Sequence, residues 1–294
     1  MTAGAGATLY AHVARARERL ITSGIPHDEA ALDARLLAEF VLGWTTERFF
    51  VDAGSEAPSD FENRYGTLIA RRAAREPFAY IVGYQEFWGL QFQVTPAVLI
   101  PRPETELIVE AALGLVPKSA PARIADVGAG SGCLAIAIAC ERPAATIVAT
   151  DTSDAALDVA RDNAARHRVA DRVHLRHADL LNTVNERFDL IVSNPPYVRQ
   201  RDRADLQAEV RCEPPGALFA GDDGLDVIRR LVHEAPRSLK AEGTVIFEFG
   251  FGQADAVEQL ISTTPGLRMT ELRRDLQDIP RIAIATASGA PARV

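Results

Sequence analysis

The sequence predicts an α/β fold: a mainly parallel sheet covered by helices, closed by an antiparallel C-terminal edge hairpin, with a helical bundle before it. Three observations predict it. From residue 122 onward, short apolar, β-branched runs alternate with stretches of helical period, as in βαβ units joined by right-handed crossovers. Before residue 76 helical periodicity prevails and strand pattern is almost absent. Between the two, A-Y-I-V-G-Y-Q-E-F-W-G-L-Q-F-Q-V at 79–94 has glycines interrupting aromatic and β-branched runs, the mark of a hairpin.

In chain order, Leu9, Val13, Ala16, Leu20 and Ile21 fall at helical spacings, and S-G-I-P at 23–26 closes that helix. A second helix is expected through Ala31, Leu36, Leu37 and Val41 to Gly43, a short one around T-E-R-F-F, and another over 61–75. The prolines of L-I-P-R-P-E-T-E hold the chain extended before Glu104 and Glu106 open a helix, where the dipole favours negative charge. Strands are expected at 123–127, 145–151, 172–176, 188–193 and 243–249, with helices at 132–141, 153–167 and 225–240. The stretch R-M-T-E-L-R-R-D-L-Q-D-I-P-R-I-A-I-A-T supplies the two strands of the edge hairpin. The expected domains are a helical one over 1–76, a hairpin linker over 77–100 and an α/β domain over 101–294.

Bulk properties narrow the function. Apolar residues at 47% and charged residues at 24% suit a globular protein, and a net charge of −8 argues against a general polyanion binder. R-R-A-A-R at Arg71–Arg75 is the densest basic stretch and reads first as a solvated helix face. Cys133, Cys140 and Cys212 form no C-x-x-C pair, so neither a metal site nor a disulfide framework is expected. The opening M-T-A-G-A-G-A-T-L-Y lacks a leader pattern and no apolar run reaches the roughly 18 residues of a membrane span. A cytoplasmic protein is expected.

The first strand of the α/β part runs into D-V-G-A-G-S-G, Asp126 to Gly132, and a helix follows. Gly128, Gly130 and Gly132 permit a tight turn and close approach to a ligand beyond the carboxyl end of the strand. A dinucleotide fingerprint wants its third glycine three places after the second, where Cys133 stands. The spacing fits S-adenosylmethionine better, since that cofactor has no pyrophosphate to cradle. Asp151, at the end of the second strand and 23 residues after Gly128, can accept from both ribose hydroxyls. Asp179, in H-A-D-L-L, can accept from the adenine amine with Leu180 against the ring. Each aspartate alone reads more often as a helix N-cap or a solvated loop residue; three strand ends in succession argue for one ligand.

The fourth strand, F-D-L-I-V-S, stops at Asn194-Pro195-Pro196-Tyr197. The two prolines allow neither strand nor helix to continue. They hold two acceptors still, the Asn194 amide oxygen and the Pro195 carbonyl, to receive hydrogens from a substrate –NH₂ with little ordering entropy lost. Tyr197 is expected to pack its ring face on a planar group. Methylation of a planar amino or amide nitrogen follows.

D-V-G-A-G-S-G with N-P-P-Y resembles the class I S-adenosylmethionine-dependent methyltransferases of the amino-group type, some adenine-N6 DNA methyltransferases included. R-E-P-F-A-Y-I-V-G-Y-Q-E-F-W-G-L-Q-F-Q-V, L-I-P-R-P-E-T-E and E-P-P-G-A-L-F-A-G-D-D-G-L are similar to the peptide chain release factor glutamine methyltransferases (the PrmC/HemK family), from about Arg75 to the C-terminus. The resemblance implies a Rossmann-like catalytic domain and transfer of a methyl group to the side-chain nitrogen of glutamine in the Gly-Gly-Gln motif of class 1 release factors, tuning translation termination. It places the cofactor loop on Asp126, Gly128, Ala129, Gly130, Ser131 and Gly132, the ribose carboxylate on Asp151, and adenine contacts on Asp179 and Leu180. Asn194, Pro195, Pro196 and Tyr197 take the substrate, Asn194 and Pro195 as catalytic groups and Asn194 also beside the cofactor; no metal is expected. The helical domain is assigned to docking the release factor, and the enzyme is expected to be a monomer without stable nucleic-acid binding. One departure is E-F-G at Glu248–Gly250 where the family commonly has E-I-G, a packing change outside the chemistry. The alternatives left open are a glutamine methyltransferase acting on a ribosomal protein and a nucleic-acid adenine methyltransferase.

Overall fold

The computed structural model describes residues 7–288 of the 294. Most of the opening stretch read for a leader and the last six residues assigned to the α/β domain lie outside the described residues. The chain forms two units: the residues up to Gly83 together with Gln207–Cys212, and Tyr84–Leu206 together with the residues from Glu213 on.

In the first unit, α1 (Leu9–Thr22), α2 (His27–Leu42), α3 (Thr46–Asp52), α4 (Phe61–Ala73) and α5 (Phe78–Val82) enclose a core of Leu9, Leu20, Leu37, Phe49, Phe61, Tyr65 and Ile69. Helix starts follow local chemistry: the Thr8 and Thr45 hydroxyls accept from backbone N–H groups three residues on, and Gly43 ends α2 in the left-handed region. Two expectations are corrected. Residues 79–82 are helical rather than strand, because Pro77 presets the helix start, Gly83 (φ +83°) stops it, and Ile81 and Val82 are buried in the helical core. The Arg71–Arg75 stretch is not a solvated face. Arg72 is 1% exposed and meets Asp33 at 2.6 Å, Glu29 at 2.5 Å and Glu209 at 2.7 Å. Arg75 also binds Glu209, and Arg71 binds Glu76.

The second unit opens with a hairpin, β1 (Tyr84–Phe87) and β2 (Leu90–Gln93), whose two-residue turn places Trp88 and Gly89 at φ +54° and +66°. Such a turn matches the twist of the strands it joins. Then come α6 (Glu106–Leu115), β3 (Ala122–Val127), α7 (Cys133–Glu141), β4 (Ala145–Asp151), α8 (Asp154–Arg166), β5 (Val173–His177) and β6 (Phe188–Ser193). The chain ends with α9 (Pro215–Leu218), α10 (Asp226–Ser238), β7 (Leu239–Glu248), α11 (Ala254–Thr263), β8 (Leu267–Arg274) and β9 (Pro280–Ala287). The sheet order is β5-β4-β3-β6-β7-β9-β8, parallel except that β9 runs antiparallel to both β7 and β8. The mainly parallel sheet with its edge hairpin is as the sequence predicts.

Strand residues alternate between two cores, as the period of two requires. Ile124, Leu190, Val192, Ile246 and Ile284 face α6 and α7, while Ala125, Ile191, Val245, Phe247 and Ala285 face α10 and α11. Strand order reverses between β3 and β6, which opens a crevice at their carboxyl ends, where open α/β sheets take ligands.

Candidate active site

The loops that follow β3, β4, β5 and β6 enclose a cavity of about 460 Å³ at that crevice. Gly128, Ala129, Gly130, Ser131, Asp151, Asp179, Leu180, Asn194 and Pro196 all line it. The glycine loop is held from below: the N–H groups of Gly128 and Ala129 both donate to the Thr150 carbonyl at 2.9 Å. Asp151 Oδ2 accepts from Gly130 N at 2.9 Å and Oδ1 from Ser153 N at 2.9 Å, so its carboxylate is fixed at the cavity wall with lone pairs to spare. Leu180 holds φ +52°, a backbone state uncommon for leucine, which re-aims its side chain. Asp179 is paired with Arg230 at 2.7 Å, and both line the cavity.

Four expected site residues sit differently. Asp126 is fully buried beneath the loop and does not line the cavity; its Oδ2 accepts from Ala135 N, and burial pushes its carboxyl up to about 7. Gly132 also lies off the cavity, and a Cβ there would meet Ile136 Cδ1 at 3.0 Å and Ala160 Cβ at 3.2 Å. Its lack of a side chain serves helix packing. Pro195 is buried, with Asn194 and Pro196 lining on either side of it. Tyr197 does not present a free ring face to the cavity: its hydroxyl donates to Glu248 Oε1 at 2.8 Å and its ring packs into the core behind.

That phenol leads to residues that sequence reading misses. Glu248, at the end of β7 and 2% exposed, takes a second hydroxyl, from Thr105, at 2.7 Å. Thr105 in turn accepts from Asn194 Nδ2 at 2.9 Å and itself lines the cavity. Burial pushes the Glu248 carboxyl up, against the two hydroxyl donors and Arg281, with Glu104 adding to the rise. Tyr197 is raised by burial and by Glu248 beside it. Gln253 joins three loops: its Nε2 donates to the carbonyls of Tyr197 and Asp223, each at 3.1 Å, and its Oε1 accepts from Gly250 N. Glu213, from E-P-P-G, accepts from Ile100 N and the Arg102 guanidinium, tying that stretch to I-P-R-P. Asn163 binds the Ser131 and Gln93 carbonyls, bracing the glycine loop against the hairpin. The departure at Phe249 is confined to packing, since that ring is wholly inside the core.

Gly224 shows how tightly this layer is set. It has φ +76°, and a Cβ there would stand 2.2 Å from the Tyr197 carbonyl oxygen and 2.7 Å from Gln253 Nε2. Gly224→Ala is therefore expected to destabilise the protein by about 1–3 kcal/mol and to lower activity as the Tyr197 loop is displaced. Thermal melts beside an activity assay check it, and unchanged melting with full activity would contradict so tight a packing.

The cavity fits S-adenosylmethionine. Gly128 and Gly130 have positive φ, and a Cβ built on either meets nothing within 4 Å, so their faces open for close approach of a ligand. The walls combine one fixed carboxylate, Asp151, with apolar groups such as Val98, Leu180 and Val227. Among the described residues the one cation in the lining, Arg230, is already paired with Asp179. That set suits a nucleoside joined to an amino acid and lacks the free positive charge a pyrophosphate would call for.

Comparison with known proteins agrees. Residues 105–221 match the methyltransferase small domain and residues 12–83 the PrmC N-terminal domain. A release factor glutamine methyltransferase of Cereibacter sphaeroides is 42% identical over 268 residues, covering 91% of this chain and 94% of its own. One of Bordetella pertussis is 40% identical over 269 residues, covering 91% and 97%. One of Koribacter versatilis is 40% identical over 271 residues, covering 89% and 95%. Among solved structures, a methyltransferase from Pyrococcus furiosus aligns with a TM-score of 0.51 at 16% identity, covering 76% of this chain and 98% of that one. The hMettl16 catalytic domain aligns with a TM-score of 0.54 at 16% identity, covering 85% and 90%. These two show the fold. The identity to the curated relatives, sustained over nearly the whole chain, shows the family: this chain belongs to the release factor glutamine methyltransferases.

Proposed function

We propose that the enzyme methylates the side-chain amide nitrogen of the glutamine in the Gly-Gly-Gln motif of class 1 release factors, with Asn194 and the Pro195 carbonyl as the groups that receive that amide. The observation that carries the assignment of roles is that Asn194 and Pro196 line the same cavity as the glycine loop and Asp151. S-adenosylmethionine is the cofactor and, when bound, supplies a methyl group on an electrophilic sulfonium. Gly128 to Ser131 and Asp151 would hold it, with Leu180 against the adenine and Asp179 beside it, the last sharing its charge with Arg230.

An amide nitrogen is a poor nucleophile because its lone pair is delocalised into the carbonyl. Asn194 Oδ1 and the Pro195 carbonyl, accepting one hydrogen each, orient the –NH₂ and stabilise the positive charge that develops on nitrogen. Both acceptors are mounted before the substrate arrives, Asn194 through Thr105 and the Pro–Pro link through its own stiffness. The proton departs after transfer, so no dedicated base is needed. His177, paired with Asp154 on the exposed surface, has no part in it.

A glutamine beside two glycines offers few contacts, so a second surface is needed to recognise a whole folded factor. The helical unit supplies it in this reading: Tyr10, Phe50 and Val51 are apolar and exposed there. The enzyme is read as a cytoplasmic monomer; its cysteines, none of them in a disulfide among the described residues, suit a reducing compartment, and among the described residues no helix is long and apolar enough to cross a membrane. The test is a mass spectrum of the Gly-Gly-Gln peptide from a release factor incubated with enzyme and cofactor. Gain of one methyl group on glutamine is expected, and an unmodified peptide from an active enzyme preparation would refute the assignment. The paired substitution Phe50→Asp/Val51→Asp is expected to raise KM for intact factor about tenfold and leave a short Gly-Gly-Gln peptide unaffected. Equal KM for intact factor would remove the docking role.

A further inference from the structure

We propose that Thr105 and Glu248 are positioning residues that set the polarity of the Asn194 amide, turning its oxygen rather than its nitrogen toward the substrate. The inference rests on the reading of Asn194 as an acceptor for the glutamine –NH₂. An asparagine side chain is nearly symmetric in shape, so packing alone does not distinguish its oxygen from its nitrogen; hydrogen-bond partners must do so. If the amide turned over, Asn194 would offer a donor to a substrate group that is itself a donor.

Proton counting decides the orientation. With Glu248 ionised, the state its two hydroxyl donors and Arg281 favour against burial, the carboxylate only accepts. Its two oxygens are met by two hydroxyls, Tyr197 on Oε1 at 2.8 Å and Thr105 on Oε2 at 2.7 Å. A hydroxyl has one hydrogen. Thr105 gives that hydrogen to Glu248, so toward Asn194 its oxygen can only accept. The contact at 2.9 Å must then be the N–H of Asn194 donating to Thr105 Oγ1. Oδ1 is left for the substrate.

The relay is buried, with Thr105 1% and Glu248 2% exposed, so no bulk water competes for these bonds. It spans the turn before α6, the end of β7 and the end of β6, three places far apart in the chain. Two of them, the threonine of R-P-E-T-E and the glutamate of E-F-G, have no other evident duty in the cavity. A space-filling role alone would be met equally well by valine.

Thr105→Val keeps the shape and removes the relay, and is expected to lower kcat on the order of 10- to 100-fold with cofactor affinity close to wild type. Thr105→Ser restores the hydroxyl and should recover most of the rate. With asparagine labelled by ¹⁵N, the Asn194 side-chain signal should shift or broaden in Thr105→Val and return in Thr105→Ser. Should the valine variant not fold, Thr105→Ala takes its place in the same comparison. A folded Thr105→Val enzyme with wild-type kcat overturns the proposal, and so does a serine variant as impaired as the valine one. Asn194→Ala separates the two readings. If it is fully active, the acceptor role itself fails; if it is inactive while Thr105→Val is normal, only the polarity relay fails.

Discussion

Replacing Asn194 by alanine is expected to lower kcat by about 10²- to 10³-fold, the cost of removing one preorganised partner of developing charge. Cofactor affinity should fall much less, because the glycine loop and Asp151 are braced by other groups, the Thr150 carbonyl and Ser153 N among them. The methyl group of alanine leaves Thr105 Oγ1 without its donor but does not disturb the Thr105–Glu248 bond, so the fold survives. With Asn194 as the proposed acceptor and the helical unit as the proposed docking surface, the loss should appear in kcat more than in KM for the release factor, since such an acceptor acts on charge that grows during transfer. Steady-state kinetics with labelled cofactor on intact factor decide it. Wild-type turnover would deny Asn194 any part in the transfer, and a loss confined to KM would reduce it to a binding contact.

The way the site is built explains why part of it is legible in the sequence. The glycine loop and N-P-P-Y are contiguous strings at strand ends, and in a parallel sheet strand ends converge on one crevice. Asp151 and Asp179 can be placed by the same rule, one at each following strand end. Thr105, Glu248 and Gln253 cannot. Thr105 and Glu248 stand in stretches that enter the resemblance, R-P-E-T-E and E-F-G, and Gln253 is a single polar letter, but no strand-end rule gives any of them a role. The packing of α6 on β6 and β7 and the pairing of β6 with β7 bring their elements together. Asp126 and Gly132 read as cofactor contacts because they bound the motif, yet the loop curls so that its two ends point into the protein. Helix α11 is not among the expected elements, although Ala254, Val257, Leu260 and Ile261 fall at helical spacings and pack into the core. The helical state of 79–82 is hidden because Ile and Val favour strands when only local preference is counted, and burial against the helical core decides otherwise.

The same limit applies to Arg72, and it carries the largest stability effect expected in the first unit. Arg72 gives Nε to Asp33 on α2, Nη2 to Glu29 on the same helix and Nη1 to Glu209 in the Gln207–Cys212 segment. Asp33 is buried, and burial pushes its carboxyl up in spite of Arg72. Burial acts on Glu209 in the same sense, but Arg75 and Arg72 outweigh it and hold its carboxyl down at about 2. Arg72→Met fills a similar volume and removes the charge, leaving Asp33 buried without a counter-ion. Breaking a buried pair from one side costs about 3–5 kcal/mol. Glu209 keeps Arg75, so the loss should centre on α2 and α4. Amide exchange protection in those two helices and the urea midpoint of the unit should fall together, and an unchanged midpoint would mean that the arginine adds nothing to what apolar packing supplies. Acid gives an independent reading. A carboxyl held below its unfolded value stabilises fully above about 4.5, and that contribution fades as pH falls toward about 2. The wild type should therefore lose stability over that window more steeply than Arg72→Met, in which Glu209 has one fewer cation to hold its proton off.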